Sequence, residues 1–180
     1  MQEKWQDKEE MGIKIMDFNE VERIEINTKK HLVAFLDILG FKNYVTKCLD
    51  KKDFKELNKS GNLLKNKMIN LKKVAKLTNV EIKYNQFSDS ICIAIPYSEG
   101  DNLSFPNAFV LLILILKTYQ MELLEDNFYI RGAISTGFHL EFQEIVFSEG
   151  LIKAYELESK KAIYPRVILD YNVQKAVKYI

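Results

Sequence analysis

The chain has 180 residues, 47% of them hydrophobic, and a formal net charge of +1. This length suits one domain with a sizeable core, and the near-neutral charge argues against a dedicated nucleic-acid-binding protein, which is usually clearly basic. Residues 108–116 are uninterrupted apolar but too few to span a bilayer, and the charged N-terminus lacks an apolar signal region. We therefore expect a cytoplasmic protein without membrane contact, whose Cys48 and Cys92 are reduced core thiols.

The hydrophobic pattern predicts an N-terminal arm, residues 1–28, and one domain over residues 29–180. An apolar run ends at Asp37, and Gly40 then permits a tight turn. In chain order the predicted elements are a strand at 32–36, helices at 42–48 and 54–77, a hairpin of strands at 80–84 and 90–95, a helix at 108–124 capped by Asn107, a strand at 128–135, and helices that begin at 148 and 170.

The order strand, helix, strand, strand, helix, strand is that of the ferredoxin-like split unit. It predicts an α+β fold, with helices on one face of a mainly antiparallel sheet. The first and third strands of that unit are antiparallel neighbours, so Asp37 and Asp89 would face each other at one edge. Two carboxylates forced together raise each other's pKa unless a cation bridges them. Mg²⁺ or Mn²⁺, with nucleotide phosphates as further ligands, is the natural bridge.

Four short segments resemble one protein family. Phe35-Leu-Asp37-Ile-Leu-Gly40-Phe41 resembles the first metal motif of class III nucleotidyl cyclases, and Phe87-Ser-Asp89 resembles the second. Residues 130–137 are similar to the family's fourth core strand. Residues 154–159 and the pair Pro165-Arg166 are similar to one branch, the pyrimidine cyclases of the bacterial Pycsar anti-phage system. The resemblance spans roughly residues 30–169.

The resemblance implies a ferredoxin-like cyclase core and an enzyme that converts a pyrimidine nucleoside triphosphate to the 3′,5′-cyclic monophosphate and pyrophosphate. UTP is the first choice of substrate and CTP the second. It implies a symmetric homodimer with its sites between the subunits, and a product that acts on a separate effector without direct contact. Two Mn²⁺ or Mg²⁺ ions would be held by Asp37, Asp89 and the carbonyl of Ile38. Backbone N–H groups of Leu39, Gly40 and Phe41 would receive the β- and γ-phosphates.

The sequence departs from this family on the dimer-facing helix. Ordinary class III cyclases place an asparagine and an arginine there, where this chain has Ile152 and Glu156. Either another basic residue stabilises the charge that develops on the phosphate, or the protein is inactive. The candidate basic residues are Arg131, Lys153 and Arg166.

A second departure concerns the position that reads the base. Purine cyclases carry a charged residue there, and this chain has Asn85. An amide both donates and accepts hydrogen bonds, so it could bind the edge of uracil or cytosine.

Other interpretations stay open at this point. A lone aspartate at the end of a strand is usually a turn former, and Arg131 could pair with Glu158 rather than bind phosphate. The histidines His31 and His139 lack partners at metal-ligand spacing and are expected at the surface or at an edge. The alternative functions are a non-catalytic cyclase-like module that binds a nucleotide or a protein, and a palm-type nucleotidyl transferase.

Overall fold

The computed structural model describes residues 29–78, 80–98, 103–142 and 145–178, and within these ranges the chain forms an α+β fold. The predicted N-terminal arm, residues 1–28, lies outside the described residues. The elements are β1 Lys30–Ile38, α1 Phe41–Asp50, α2 Phe54–Lys76, β2 Lys83–Phe87, β3 Ser90–Tyr97, α3 Phe105–Leu124, β4 Ile130–Phe142, β5 Ile145–Ser148, α4 Glu149–Lys161, β6 Val167–Leu169 and α5 Tyr171–Val177.

The six strands of the described chain form one mixed sheet in the order β2-β3-β1-β4-β5, with β6 parallel to β4. Strand β1 lies between β3 and β4 and is antiparallel to both. The predicted pairing of the first and third strands is therefore confirmed. In the register, Leu36 lies opposite Ile91 and Asp37 lies opposite Arg131. This pairing brings the end of β1, the start of β3 and the start of β4 to one edge.

The central strand β1 is buried on both of its faces. Leu32, Ala34 and Leu36 belong to a core shared with α2 and α3. On the other face, Phe35 packs in a smaller cluster with Ala154 of α4. The expectation of helices on one face is therefore wrong for α4. A sheet with two apolar faces must cover both, and this chain covers the second with its own helix.

Helix α4 approaches the sheet closely because two glycines meet. A Cβ atom added at Gly137 would lie 2.7 Å from the backbone nitrogen of Gly150, which is too short for any real contact. The side chain of Ser148 caps the helix by accepting a hydrogen bond from Leu151 N at 3.0 Å. The predicted start of this helix at 148 is thus confirmed to within one residue.

Helix α3 is the one helix among the described residues that is long and apolar enough to cross a membrane. Its residues Leu112, Ile115 and Tyr119 are buried in the core against the sheet. A core helix of a soluble protein passes the same test, so this helix is weak evidence for a membrane span. It begins at Phe105, before the predicted Asn107 cap. Pro106 is tolerated there because proline has no backbone N–H, and N–H groups in the first turn of a helix have no partner within the helix.

Four strands differ from the prediction. Strand β2 begins at Lys83 and ends at Phe87, three residues beyond the predicted 80–84. Strand β4 runs on to Phe142, and the short strands β5 and β6 were not predicted. Cys48 and Cys92 are free and buried, as predicted.

Candidate functional site

Asp37 lies near the end of β1 and is partly buried. Its Oδ1 accepts a hydrogen bond from the hydroxyl of Ser90 at 3.0 Å. Its Oδ2 accepts from Arg131, at 3.1 Å from Nη2 and 3.3 Å from Nε. An apolar strand that ends in a carboxylate requires such donors, because a buried charge without partners is costly.

Asp89 lies in the two-residue turn, Ser88 and Asp89, that joins β2 to β3. Ser88 has a φ of 56°, the left-handed conformation that tight hairpin turns need at this position. Burial raises the pKa of Asp89, and the neighbouring Asp37 raises it further by its charge and by a hydrogen bond. The structure thus brings together the two aspartates that sequence reasoning singled out.

Arg131 and Glu158 complete the group. Arg131 stands opposite Asp37 in the β1–β4 pairing, and its Nε lies 2.8 Å from Glu158 Oε1 on α4. The side chain of Glu158 is only 2% exposed. Burial raises the pKa of Glu158, while the positive charge of Arg131 lowers it. The sequence left open whether Arg131 pairs with Glu158 or binds phosphate; without a ligand, it pairs with Glu158 and Asp37 together.

The charges of this group suit a divalent cation. Asp37 and Glu158 share the single guanidinium of Arg131, and the carboxyl group of Asp89 lies beside Asp37, so carboxyl groups outnumber cationic ones. Carboxylate oxygens are the ligands that Mg²⁺ and Mn²⁺ prefer. Among the described residues no three His, Cys, Asp or Glu side chains form a ready metal-binding group. Asp37 and Asp89 would therefore bind a cation together with ligands from the substrate or the backbone.

The turn after β1 offers fewer phosphate-binding groups than expected. The N–H of Leu39 donates to the carbonyl of Tyr129 at 2.8 Å, so it is already used. Gly40 has a φ of 78°, and α1 starts at Phe41 without a side-chain cap. The uncapped first turn of a helix is where an anion binds, which leaves Gly40 and Phe41 as the candidates. Ile38, whose carbonyl is the expected metal ligand, has a buried side chain next to them.

Two of the three candidate basic residues do not contact Asp37 within the chain. Lys153 pairs with Glu149 at 2.6 Å, and Glu149 accepts from the backbone of Phe138. Phe138 is seven residues along β4 from Arg131, about 23 Å at the usual strand rise. Arg166 donates to the carbonyl of Lys161 with its side chain.

The backbone of Arg166 nevertheless borders the group, because its carbonyl accepts from Gly132 N at 2.9 Å. Of the three basic candidates, Arg131 alone therefore has its charged group at the two aspartates in this structure. Lys153 would need a second subunit to bring it to such a site.

Asn85 lies on the same sheet face as Asp37. It stands opposite Cys92 in the β2–β3 pairing, and Cys92 stands opposite Phe35, two residues before Asp37. At the usual spacings this places Asn85 about 10 Å across the sheet and about 7 Å along it from Asp37. A nucleoside is of comparable length, so one nucleotide could extend between the two positions.

The amide of Asn85 is held by a buried polar network that sequence reasoning missed. Asn85 Nδ2 donates to Glu141 Oε1, and His139 Nε2 lies 3.0 Å from the same oxygen. His139 Nδ1 lies 2.9 Å from the Ser148 hydroxyl that caps α4. The surface positions expected for His31 and His139 are wrong, because both are buried. The available signal was the alternation of side chains along each strand, which places His31 on the same face as Val33 of β1 and His139 on the same face as Glu141 of β4.

His31 should make the protein acid-sensitive. Burial, and then the neighbouring His139, lowers the pKa of His31 from 6.5 to about 4. Between those pH values the unfolded chain binds a proton that the folded chain does not, so the free energy of unfolding falls as the pH falls, by up to about 3 kcal/mol. Urea denaturation at pH 4 to 7 measures this slope, and His31→Gln should flatten it. Equal slopes for the two proteins would contradict the assignment.

Comparison with known proteins adds no family to this description. No family model matches the chain, and no curated protein is similar to it. The features of this chain that point to a function are therefore the group at Asp37 and Asp89 and the motifs that contain these residues.

Proposed function

We propose that this protein is a metal-dependent nucleotidyl cyclase. It converts a pyrimidine nucleoside triphosphate, UTP first and CTP second, to the 3′,5′-cyclic monophosphate and pyrophosphate. The observation that carries the proposal is the convergence of Asp37 and Asp89 at one sheet edge, with Arg131 beside them. Paired carboxylates with too few cationic partners are what a two-metal phosphoryl-transfer site requires.

The strand order supports a ferredoxin-like core, as expected for a cyclase. In a ferredoxin-like unit the first strand lies between the third and fourth, and the second lies outside the third. Strands β2, β3, β1 and β4 follow this order. A palm-type nucleotidyl transferase shares that order and also holds two carboxylates. The products separate the two activities, since a transferase joins its nucleotide to another molecule and a cyclase closes a ring within it.

In the proposed reaction the 3′ oxygen of the ribose loses its proton to solvent and bonds to the α-phosphorus, and the bond from the α-phosphorus to the bridging β-phosphate oxygen breaks, so that pyrophosphate leaves. Asp37 and Asp89 would hold divalent cations, which would supply activation of the 3′ hydroxyl and neutralisation of the charge on the leaving group. The N–H groups of Gly40 and Phe41, at the start of α1, bind the outer phosphates. Arg131 supplies a positive charge next to the cation site.

The runner-up is a non-catalytic module that binds a nucleotide or a protein. It is favoured by α4, where Ile152 is exposed and Glu156 pairs with Lys160 at 3.2 Å. Incubation with each of the four nucleoside triphosphates and Mn²⁺, followed by mass spectrometry, separates the two functions. Cyclic UMP as the main product supports the cyclase. Binding of UTP without any cyclic product supports the module.

The cellular role is the furthest part of the proposal. A cyclic pyrimidine nucleotide made in the cytoplasm would be a second messenger that activates a separate effector during phage infection. No contact between the cyclase and that effector is required.

Asn85 should set the preference for the base. Glu141 accepts a hydrogen bond from Nδ2 of Asn85, which leaves Oδ1 of Asn85 to accept one from an N–H group of uracil or cytosine. A contact of this kind is worth roughly 1–3 kcal/mol, or about tenfold to hundredfold in discrimination. Asn85→Ala should therefore lower the ratio of kcat/KM between the two pyrimidines more than it lowers the best rate.

The neighbouring Gln86→Ala is the matched control, since its amide donates to Ser88 O on the adjacent turn. It should leave the ratio unchanged. Faster turnover of ATP or GTP than of both pyrimidines would refute the pyrimidine assignment and leave the cyclase assignment standing.

A further inference from the structure

We propose that Arg131 has two working positions: it bridges Asp37 and Glu158 when no cation is bound, and it turns fully to Glu158 when a divalent cation occupies Asp37. Glu158 is then the positioning residue that receives the guanidinium and keeps it at the site. This inference rests on the proposed function, because it takes the cation site at Asp37 and Asp89 as its starting point.

The guanidinium of Arg131 lies between two carboxylates in this structure. Its Nη2 is 3.1 Å from Asp37 Oδ2, and its Nη1 is 3.5 Å from the carbonyl of Ala162, just beyond α4. Its Nε is within reach of both acids, at 3.3 Å from Asp37 Oδ2 and 2.8 Å from Glu158 Oε1. A small rotation of the guanidinium therefore exchanges one carboxylate for the other.

Glu158 has an acceptor that this arrangement leaves unused. The Nε–H of Arg131 is directed to Asp37, so the buried Glu158 Oε1 accepts no hydrogen bond although a donor nitrogen lies beside it. A buried polar atom without a partner is costly, and native proteins contain few of them. The other oxygen, Oε2, is held by the hydroxyl of Ser159 at 3.2 Å. Glu158 is thus held in place, and its Oε1 accepts no hydrogen bond until Arg131 turns toward it.

A cation on Asp37 would cause that turn. Metal binding takes the oxygen, Oδ2, that Nη2 and Nε of Arg131 use, and two positive charges at one oxygen repel each other. With Glu158 beside it, Arg131 keeps a charged partner after it leaves Asp37. Its Nη2 is then released toward the cation site, where an anionic triphosphate would accept from it. Without Glu158, Arg131 would have Asp37 as its one carboxylate and would compete with the cation.

Arginine side-chain NMR tests the two positions directly. The chain contains three arginines, Arg23, Arg131 and Arg166, so the Nε–Hε spectrum is simple and Arg131→Lys assigns the signal of interest. In the wild-type protein, Mg²⁺ alone should shift the Arg131 signal while it stays protected from solvent exchange. In Glu158→Gln the signal should be present without Mg²⁺ and lost to exchange when Mg²⁺ saturates. The Mg²⁺ affinity of this variant should be about tenfold weaker.

The matched control is Glu156→Gln, which removes a carboxylate from the exposed side of the same helix. It should leave both the signal and the Mg²⁺ affinity as in the wild-type protein. Should Glu158→Gln fail to fold, Glu158→Asp can replace it, because the shorter side chain moves the carboxylate away from Arg131. The same results are expected for this variant.

The outcomes separate this inference from the proposed function. If Mg²⁺ shifts the backbone signals of Asp37 and Asp89 while the Arg131 signal stays unchanged, the inference is overturned and the cation site remains. An Arg131 signal that stays protected in Mg²⁺-saturated Glu158→Gln overturns it as well. If Mg²⁺ shifts none of these signals, either alone or with UTP present, the cation site, and with it the proposed function, fails.

Discussion

Asp37→Ala and Asp89→Ala should each lower the rate of cyclic nucleotide formation roughly 10²- to 10³-fold or more, because each removes a ligand of the cations that activate the reaction. The fold should survive both changes. The charge of Asp37 raises the pKa of Asp89, so removing either side chain relieves this unfavourable contact, and Arg131 keeps Glu158 as its partner. Mass spectrometry of the products with Mn²⁺ and UTP measures the rate.

Asp50→Ala is the matched control, since Asp50 is an exposed aspartate at the end of α1. It should retain full activity. A second measurement tests the geometry without turnover. In Asp37→Asn the pKa of Asp89 should fall, because one of the causes that raise it is gone, while burial still holds it above its ordinary value. Wild-type turnover in both alanine variants would refute the cyclase assignment.

The adjacency of Asp37 and Asp89 could be predicted because it depends on strand order alone. Apolar runs and turn residues identify the order of strands and helices, and that order fixes which strands are neighbours. The two aspartates stand at the ends of such runs, so their meeting follows from topology. Residue-level contacts are not needed for this step.

The sequence raised the contact between Arg131 and Glu158 as one of two alternatives, and strand order could not decide between them. The contact depends on which face of the sheet α4 covers, and the packing of Gly150 against Gly137 decides that. A sequence pattern shows that a helix is amphipathic and does not show which surface it meets. The position of β2 was misplaced for a related reason. Its bounds follow from the turn at Ser88, whereas the apolar residues used to predict it lie at 80–84.

The polar network around Glu141 was missed because each member seems costly alone. A buried histidine or glutamate is stable only when its partners are in place, and these come from distant parts of the chain. Asn85 and Glu141, which share a hydrogen bond, are 56 residues apart. The short strands β5 and β6, of four and three residues, carry too few residues for a pattern of period two.

The protein should act as a symmetric homodimer, and its activity should be lost on dilution. An uncovered sheet face does not supply the dimer contact, since α4 covers the second face of the sheet. The register places Val33 and Phe35 on the face covered by α4, and Ile91 and Ile93 on the opposite face. The support comes instead from the outer side of α4 and the strand before it. Large apolar side chains remain exposed there, namely those of Ile145, Phe147, Ile152 and Tyr155.

One member of this exposed group, Tyr155, lies near the candidate site. Tyr155 contacts the ring of Phe35 edge-on at 5.5 Å, and Phe35 is two residues before Asp37. A second subunit seated on these residues would bury apolar surface and bring a further basic side chain, such as Lys153, to the metal edge. Contiguous exposed apolar residues are typical of such interfaces.

Ile152→Asp should therefore yield a monomer and lower turnover at least about a hundredfold, since it places a charge at the centre of the proposed contact. Analytical ultracentrifugation at micromolar concentration measures the oligomeric state, and the rate is measured on the same samples. The control is Ile69→Asp on α2, an exposed isoleucine on the opposite sheet face, which should remain dimeric and active. A wild-type protein that is monomeric at micromolar concentration and fully active would rule out a site shared between subunits, and the whole reaction would then have to be carried out by Arg131 and the two aspartates of one chain.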